Sequence, residues 1–225
     1  FADRAAHYRE NPDRLGLPEE ILRLFPDRFV DSELGPIPEG WRATTIGDEF
    51  NLMMGQSPPS STYNEEGQGL PFFQGCRDFG FRYPLSRVYC TAPTRIAHAG
   101  DTLISVRAPV GDINMAFETC CIGRGIAAIR HQSGSRSFTY YTILVLRERL
   151  KSYEAGGTVF GAIRKKQLKN IPIISPDIKP ISVFEDIACP MDESIRSFED
   201  KSRTLSALRD TLLPKLISGE LRVPD

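Results

Sequence analysis

Arginine sets the possible chemistry of the middle of this sequence. Eight arginines lie on or beside turns: Arg77, Arg82, Arg87, Arg95, Arg107, Arg124, Arg130 and Arg136. The aromatic and amide residues among them are Phe72, Phe73, Gln74, Phe79, Phe81 and Tyr83. Because arginine bonds guanine edges in a bidentate manner and glutamine bonds adenine edges, this mixture is typical of a nucleic-acid interface. The alternative for the aromatic residues is that they fill the core of a small β domain.

The tightest basic cluster follows later in the chain. It consists of the run Arg164, Lys165 and Lys166, with Lys169 three residues further on. Side chains of this kind hold phosphates in nucleic-acid complexes. The alternative is the solvated face of a short helix.

Three motifs that could indicate catalysis or metal binding lack the neighbouring residues or elements that those functions require. The string GRGIAA from Gly123 to Ala128 matches a dinucleotide fingerprint, but that fingerprint requires a following helix and the sequence continues as a β-type run. The D-x-K at 177–179 lacks a second acidic residue in reach, and His7, His98 and His131 are scattered. We therefore predict neither a catalytic residue nor a metal site.

Charge is unevenly distributed along a chain whose net charge is −1. Residues 1–40 carry a net charge of −4, residues 41–175 carry +6, and residues 176–225 carry −3. A basic middle segment between acidic ends is compatible with a polyanionic partner for that segment alone. The alternative is ordinary variation in surface charge.

The cysteines and the apolar runs bear on the cellular compartment of the protein. There are five cysteines without a C-x-x-C pair, namely Cys76, Cys90, Cys120, Cys121 and Cys189. We expect reduced thiols and a cytoplasmic location. Neither an apolar run approaching 18 residues nor a charged leader is visible. Because the first residue is Phe, we expect a fragment, a processed product or a longer protein.

The pattern of elements predicts an α+β protein with three parts. Residues 1–40 read as an arm or linker with a short helix in LPEEILRLF, and residues 41–176 as a twisted mixed β domain with a few helices. The β-type runs are WRATTI, LPFFQG, TLISVRA, INMAFE, CIGRGIAAIR and IPII. Helices are predicted from Phe138 to Tyr153, behind a Ser137 cap, and near Lys165 to Lys169.

The third part, residues 177–225, predicts a long helix with a narrow apolar seam. The seam comprises Phe184, Ala188, Met191, Ile195, Phe198, Ser202, Leu205 and Leu212, with Leu208 beside it. A stripe this narrow requires a partner helix, as in a coiled coil. Ser182 and Glu185 fit a capping box at the start. Pro190 predicts either a kink or a break into two helices.

Several strings occur in an order that resembles one family, the specificity (HsdS) subunits of type I restriction-modification systems. They are LFPDRFVDSELGPIPEGW, GQSPP, LPFFQG, AGDTLISVRAPVGD, CIGRGIAAIR, the segment from Lys166 to Pro172, and LRDTLLPKLISGELRV. The resemblance covers nearly the whole chain and corresponds to a C-terminal half with one target recognition domain. Pro190 within the spacer helix departs from the family pattern.

The resemblance implies a role in DNA recognition. A target recognition domain reads one half of a bipartite double-stranded DNA site, and paired helices set the distance between the halves. The chain would then be non-catalytic, and it would dock on methyltransferase subunits and, through them, on the restriction subunit. It would hold no cofactor of its own, because S-adenosylmethionine, ATP and Mg are expected only in the partners. A second recognition half, or a second copy of the chain, would pair with the C-terminal helix.

On this basis the candidate residues form two sets. The DNA-binding set is Gln56, Ser57, Gln74, Arg77, Arg107, Arg124, Arg164, Lys165 and Lys166. The oligomer-interface set is Phe184, Met191, Ile195, Phe198, Leu205 and Leu212. Two other hypotheses stay open from the sequence: a coiled-coil adaptor that binds protein without DNA specificity, and a stand-alone nuclease or methyltransferase.

Overall fold

The computed structural model describes residues 18, 21, 23–26, 28–153 and 161–221. The strands are β1 Phe29–Val30, β2 Ile37–Pro38, β3 Arg42–Thr45, β4 Phe50–Met54, β5 Tyr63–Asn64, β6 Leu70–Phe73, β7 Tyr89–Cys90, β8 Ile96–Ala97, β9 Thr102–Ser105, β10 Ile113–Met115, β11 Cys120–Ile122, β12 Ile126–His131 and β13 Pro172–Ser175. The helices are α1 Ile46–Glu49, α2 Arg136–Val145, α3 Arg147–Ser152, α4 Lys165–Lys169 and α5 Ile178–Ile217. Mixed sheets with a few helices and one long C-terminal helix confirm the predicted α+β class.

A four-stranded antiparallel sheet forms the middle layer of the domain. Its strand order is β10-β9-β12-β4. Successive side chains of a strand point to opposite faces. Accordingly Ile104 and Ile129 pack in one core with α2, while Leu103 and Ala128 pack in a second core on the other side. Both faces of this sheet are therefore covered, which explains why β9 is buried along its whole length.

A five-stranded mixed sheet covers the second face. Its order is β5-β7-β6-β11-β8, in which β6 and β11 run parallel and the other pairs are antiparallel. Phe73, Ala97 and Ile122 point from it toward the middle sheet. Each of the six runs predicted as β segments contains a strand. The short strands β5, β7 and β8 were not predicted.

Strands β3 and β13 join the two ends of the domain. They pair antiparallel, with Arg42 opposite Ser175 and Thr45 opposite Pro172. The short helix α4, which the sequence predicts, lies just before β13 and packs against α1 so closely that a Cβ on Gly47 would lie 3.0 Å from Cβ of Lys169. The basic run at the start of α4 is therefore held in a fixed place.

The inner helix differs from its prediction in two ways. It is divided at Leu146 into α2 and α3, and α2 begins at Arg136 rather than after a Ser137 cap. Ser137 is buried within the first turn. The first N–H groups of α2 bond instead to the carboxylate of Glu185 on α5, so a tertiary contact takes the place of a local cap.

Helix α5 begins earlier than predicted and continues through Pro190. Its N-cap is Asp177 and it extends over 40 residues, a length of about 60 Å. The predicted capping box of Ser182 and Glu185 is wrong, because both residues lie inside the helix. The helix ends at Ile217, just before Gly219, whose φ of +76° suits the left-handed turn that follows a helix.

Some predicted features lie on residues that the structure does not describe. Most of LPEEILRLF, with its predicted short helix, and Gly156, the predicted stop of the inner helix, lie outside the described residues. The domain boundaries at residues 40 and 176 stay a prediction. Of the helices that the structure describes, none combines the length and apolarity that a membrane crossing requires.

Candidate nucleic-acid interface

The carboxyl ends of four strands meet at one edge of the two sheets. Met54 at the end of β4 pairs with Ala127, and Ser105 at the end of β9 pairs with Ile126. In the neighbouring sheet, β6 and β11 run parallel and end side by side. The turns that follow are residues 55–57, 74–77, 106–107 and 123–125, hereafter the turn cluster. Six predicted DNA-binding residues lie in it: Gln56, Ser57, Gln74, Arg77, Arg107 and Arg124.

Backbone hydrogen bonds hold these turns against one another. The N–H groups of Gly55, Gln56, Val106 and Gly125 donate to the carbonyls of Ile126, Ile122, Gly125 and Gln74, at 2.9, 3.0, 2.8 and 3.0 Å respectively. Because every turn is bonded to another turn or to a strand end, the cluster is a rigid surface rather than a set of independent loops.

Two glycines make this close packing possible. A Cβ on Gly55 would lie 2.2 Å from the carbonyl oxygen of Gly123, and a Cβ on Gly123 would lie 2.4 Å from Oε1 of Gln74. No other residue type tolerates such approaches without movement of the backbone or of the Gln74 side chain. Glycine is thus required where the turns cross.

Three of the predicted residues are linked directly. The hydroxyl of Ser57 donates to Oε1 of Gln74 at 2.8 Å, and the backbone N–H of Arg124 donates to the Ser57 hydroxyl at 3.3 Å. Gln74 and Arg124 are exposed, whereas Ser57 is half-buried between them. The structure therefore brings residues from three distant parts of the sequence into one network.

The basic run of α4 continues the same surface. The N–H of Ile163 donates to the carbonyl of Val106 at 3.0 Å, and Ala162 forms a β-bridge with Arg107. Arg164, Lys165 and Lys166 follow immediately and are exposed. The side-chain amide of Gln167 accepts the N–H of Arg164 at 2.8 Å, which fixes the first turn of α4. All nine predicted DNA-binding residues thus lie in the turn cluster or in the run bonded to it.

Ion pairs separate the arginines into two groups. Four of the eight are paired: Arg82 with Asp192, Arg87 with Asp78, Arg130 with Asp101, and Arg136 with Glu193. Arg77, Arg95, Arg107 and Arg124 are exposed and make no ion pair within the described part of the chain. Of these eight arginines, those available to a ligand are therefore the three of the turn cluster and Arg95.

Arg82 lies beside a turn like the arginines of the turn cluster, but it has a different role. It is only 7% exposed and lies between the domain and α5. Its guanidinium pairs with Asp192, donates to the hydroxyl of Tyr141 at 3.1 Å, and lies 4.1 Å from the ring centre of Tyr140. Burial by itself would lower the pKa of Arg82, but the bond to Tyr141 and the nearby Asp192 carboxylate raise it, so the group stays charged.

A row of acidic residues attaches α5 to the domain. Glu185, Asp192 and Glu199 are spaced seven residues apart and so share one face of the helix. Glu185 accepts three backbone N–H groups at the start of α2, at 2.8, 3.2 and 3.0 Å. Glu199 accepts the backbone N–H of Arg82 at 3.0 Å. Together with the pair of Asp192 and Arg82, these bonds fix the helix on its own domain.

The predicted apolar seam divides into two rows. Ala188 is buried, Ile195 packs on the domain core, and Phe184 contacts the rings of Phe138 and Tyr141. The other row is exposed: Met191 by 61%, Phe198 by 65%, Leu205 by 65% and Leu212 by 42%. Phe184 and Ile195 thus help to attach α5 within the chain. The oligomer interface stays a prediction, and the exposed row is the part of it that a partner could cover.

Sequence reasoning missed Thr94 and Asp192. The hydroxyl of Thr94 donates to the carbonyl of Gln56 at 2.6 Å, and the carbonyl of Arg95 accepts the N–H of Ile122 at 2.9 Å, so residues 94–95 border the turn cluster. The Pro-Thr-Arg turn at 93–95 was a signal for the first. The acidic residues repeating every seven positions were a signal for the second.

The motifs set aside in the sequence have ordinary structural roles. Gly123 and Gly125 belong to a turn that leads into strand β12, so GRGIAA lacks the helix of a dinucleotide site. Asp177 is the N-cap residue of α5. Over the described ranges, His, Cys, Asp and Glu side chains form no group of three or more that could hold a metal ion.

Comparisons with known proteins agree with this architecture. A family model, the type I restriction modification DNA specificity domain, matches residues 38–181. The putative type I restriction enzyme MjaX specificity subunit of Methanocaldococcus jannaschii is 38% identical over 199 residues, which are 87% of this chain and 47% of that protein. The HindI specificity subunit of Haemophilus influenzae is 23% identical over 231 residues, 93% of this chain and 49% of that protein.

Solved structures give the same result. The HsdS subunit from Thermoanaerobacter tengcongensis superposes with a TM-score of 0.60 at 35% identity, covering 98% of this chain and 54% of that one. A chain from a structure of the type I R-M system, described for its complex assembly and conformational transition, gives 0.60 at 37% identity, covering 95% and 55%. The chain spans about half the length of the curated relatives it matches.

Proposed function

The chain belongs to the family of type I restriction-modification DNA specificity domains, and from this premise we propose that it reads one half of a bipartite double-stranded DNA target. The observation that carries the proposal is the turn cluster, where exposed arginines and glutamines stand on a rigid edge without acidic partners. Arginine and glutamine are the side chains that read base edges, and lysine and arginine hold phosphates. The separation of paired from unpaired arginines supports this edge as the DNA-facing surface.

The turn cluster and the basic run of α4 would make different contacts with DNA. The turn cluster would approach the bases with Gln56, Gln74, Arg77, Arg107 and Arg124. The run of Arg164, Lys165 and Lys166 would hold the phosphate backbone beside it, because it lies at the margin of the cluster and is exposed. Phosphate contacts orient a protein on the duplex, and base contacts supply its specificity.

Helix α5 supplies the proposed assembly surface. Its exposed apolar row would pair with the corresponding helix of a second recognition half or of a second copy of this chain, and the assembly would dock on methyltransferase subunits. The chain itself would hold no cofactor and perform no catalysis. S-adenosylmethionine, ATP and Mg would belong to the methyltransferase and restriction subunits whose activities it directs.

Selection from a pool of randomised duplexes tests the proposal. The purified chain, together with its methyltransferase subunits, is expected to enrich duplexes that share a bipartite consensus, because the rigid turn cluster presents fixed donors to base edges. Sequencing of the bound fraction after several rounds gives the consensus. The methyltransferase subunits without this chain serve as the control and should enrich no sequence. Recovery of an unbiased pool would contradict the proposal and favour the protein-binding adaptor.

A further inference from the structure

The side-chain amide of Gln74 is held in one orientation. Its Oε1 accepts the hydroxyl proton of Ser57 at 2.8 Å. The Ser57 hydroxyl also accepts the N–H of Arg124, which leaves its own proton free to donate to Gln74. Both bonds are satisfied when the carbonyl oxygen of Gln74 points inward.

Packing against Gly123 supports the same orientation. A Cβ on Gly123 would lie 2.4 Å from Oε1 of Gln74 and 2.9 Å from its Cα, so the amide end rests directly on the glycine backbone. A carbonyl oxygen fits such a close approach, because it carries no hydrogens and can accept a weak Cα–H contact. An NH₂ group turned inward would bring its hydrogens against that backbone. The inward atom is therefore the oxygen.

The outward atom is consequently the amide nitrogen. Gln74 is exposed, and its Nε2 has no hydrogen-bond partner within the residues that the structure describes. A glutamine that reads adenine in the bidentate mode must present an acceptor and a donor together. Here the oxygen is turned inward against Ser57 and Gly123, so the group that Gln74 presents outward is its donor NH₂.

The position of Gln74 in the chain helps to fix the orientation of its side-chain amide. It directly follows the last residue of β6, and its own carbonyl accepts the N–H of Gly125 at 3.0 Å. The side-chain amide of Gln74 therefore lies at a strand end, and hydrogen bonds hold both the backbone and the side chain of this residue. Arg77 and Arg124 flank it as exposed cations that would draw the duplex toward it.

We infer that Gln74 reads a base edge as a hydrogen-bond donor, and that Ser57 is a positioning residue that orients Gln74 without contacting DNA. The base that fits best is guanine, because its N7 and O6 both accept in the major groove, whereas adenine N7 and thymine O4 each offer a single acceptor. Cytosine offers only a donor there and is rejected. The inference rests on the proposed function, since it names the base chemistry recognised by the same surface.

Selection with variants at two positions tests the inference. Gln74→Glu keeps the size of the side chain but replaces its donors with acceptors, so the preference for guanine at one position of the consensus should fall about 5- to 100-fold while the other positions are retained. Ser57→Ala should weaken the preference at that same position, because Gln74 is released, and Ser57→Thr should restore it. Ser60→Glu places the same charge at an exposed position three residues after Ser57, outside the proposed DNA-contact set, and controls for repulsion of the duplex.

A base analogue gives a second measurement that needs no variant. A duplex with 7-deazaguanine at the position identified for Gln74 lacks the N7 acceptor, and wild-type affinity for it should fall. If the wild type selects a consensus but Gln74→Glu selects the same one and the analogue binds normally, the inference is overturned and the proposed function stands. If Ser60→Glu removes the same preference, charge rather than the lost donor explains the effect, and the inference is likewise overturned. If the wild type selects nothing, the proposed function fails.

Discussion

Replacement of Asp192 by alanine is expected to lower the free energy of unfolding by about 3–5 kcal/mol. Asp192 is 5% exposed and Arg82 is 7% exposed, and the two side chains pair between α5 and the domain. The substitution would leave the guanidinium of Arg82 buried without its carboxylate partner. Urea denaturation of the wild type and the variant, followed by circular dichroism, measures the difference.

Two further variants make this result specific to the buried pair. Asp200→Ala removes a carboxylate from an exposed position of the same helix and should change stability by less than about 0.5 kcal/mol. The double variant Arg82→Met with Asp192→Leu should recover part of the loss, because apolar side chains of similar volume can replace a buried ion pair. Equal stability of Asp192→Ala and Asp200→Ala would show that the pair does not attach α5 to the domain.

Introduction of two glutamates into the exposed apolar row of α5 is expected to abolish self-association. Leu205 and Leu212 lie on the part of the helix that extends past the domain, where residues 204–221 are all exposed. If this row pairs with a second copy, the wild type is dimeric at micromolar concentration. Leu205→Glu with Leu212→Glu would place carboxylates inside the apolar contact and should give monomers, since charges at core positions of paired helices are strongly unfavourable.

Light scattering with size-exclusion chromatography measures the mass. Thr204→Glu with Thr211→Glu is the matched control, because it adds the same charges one residue earlier, on an adjacent face of α5. This control should stay dimeric. A monomeric wild type, or a dimeric Leu205→Glu/Leu212→Glu variant, would exclude the row as the surface that joins two copies.

Much of the fold could be predicted from the sequence because its signals are local. Apolar runs bounded by Gly and Pro identified several of the strands that pass through both cores, such as TLISVRA, which contains β9, but not β4. The short helix α4 was predicted from the residues around Lys165 to Lys169. The two-residue strands β7 and β8 were not, since their antiparallel pairing with β6 and β11 depends on a mixed sheet assembled from distant segments.

The contacts of polar side chains could not be predicted, because they are tertiary. Glu185 was assigned to a local capping box, yet it caps α2 from another helix. Arg82 was grouped with the arginines of the turns, yet it is buried against α5. Nothing in the neighbouring sequence distinguishes Arg82 from Arg124. Only the opposing Asp192, more than 100 residues away, decides which of them is available to a ligand.

The candidate site could be predicted in part, less fully than the strands and helices but better than the contacts of polar side chains. The sequence named Gln56, Ser57, Gln74 and Arg124 as candidates on separate turns, and the register of β4, β6, β11 and β12 brings those turns together. The hydrogen bonds that orient Gln74 follow from that register. The types of residue at the site were therefore predictable, whereas their different roles depend on the assembled sheets.

The salt dependence of duplex affinity tests whether the turn cluster with its basic run is the surface that binds DNA. With Arg164, Lys165 and Lys166 on phosphates, the logarithm of the affinity of the wild type should fall against the logarithm of salt concentration with a slope of about −3. Lys165→Ala with Lys166→Ala should reduce the slope by about 2, whereas Lys201→Ala with Arg209→Ala on α5 should leave it unchanged. Identical slopes for all three proteins would contradict the claim.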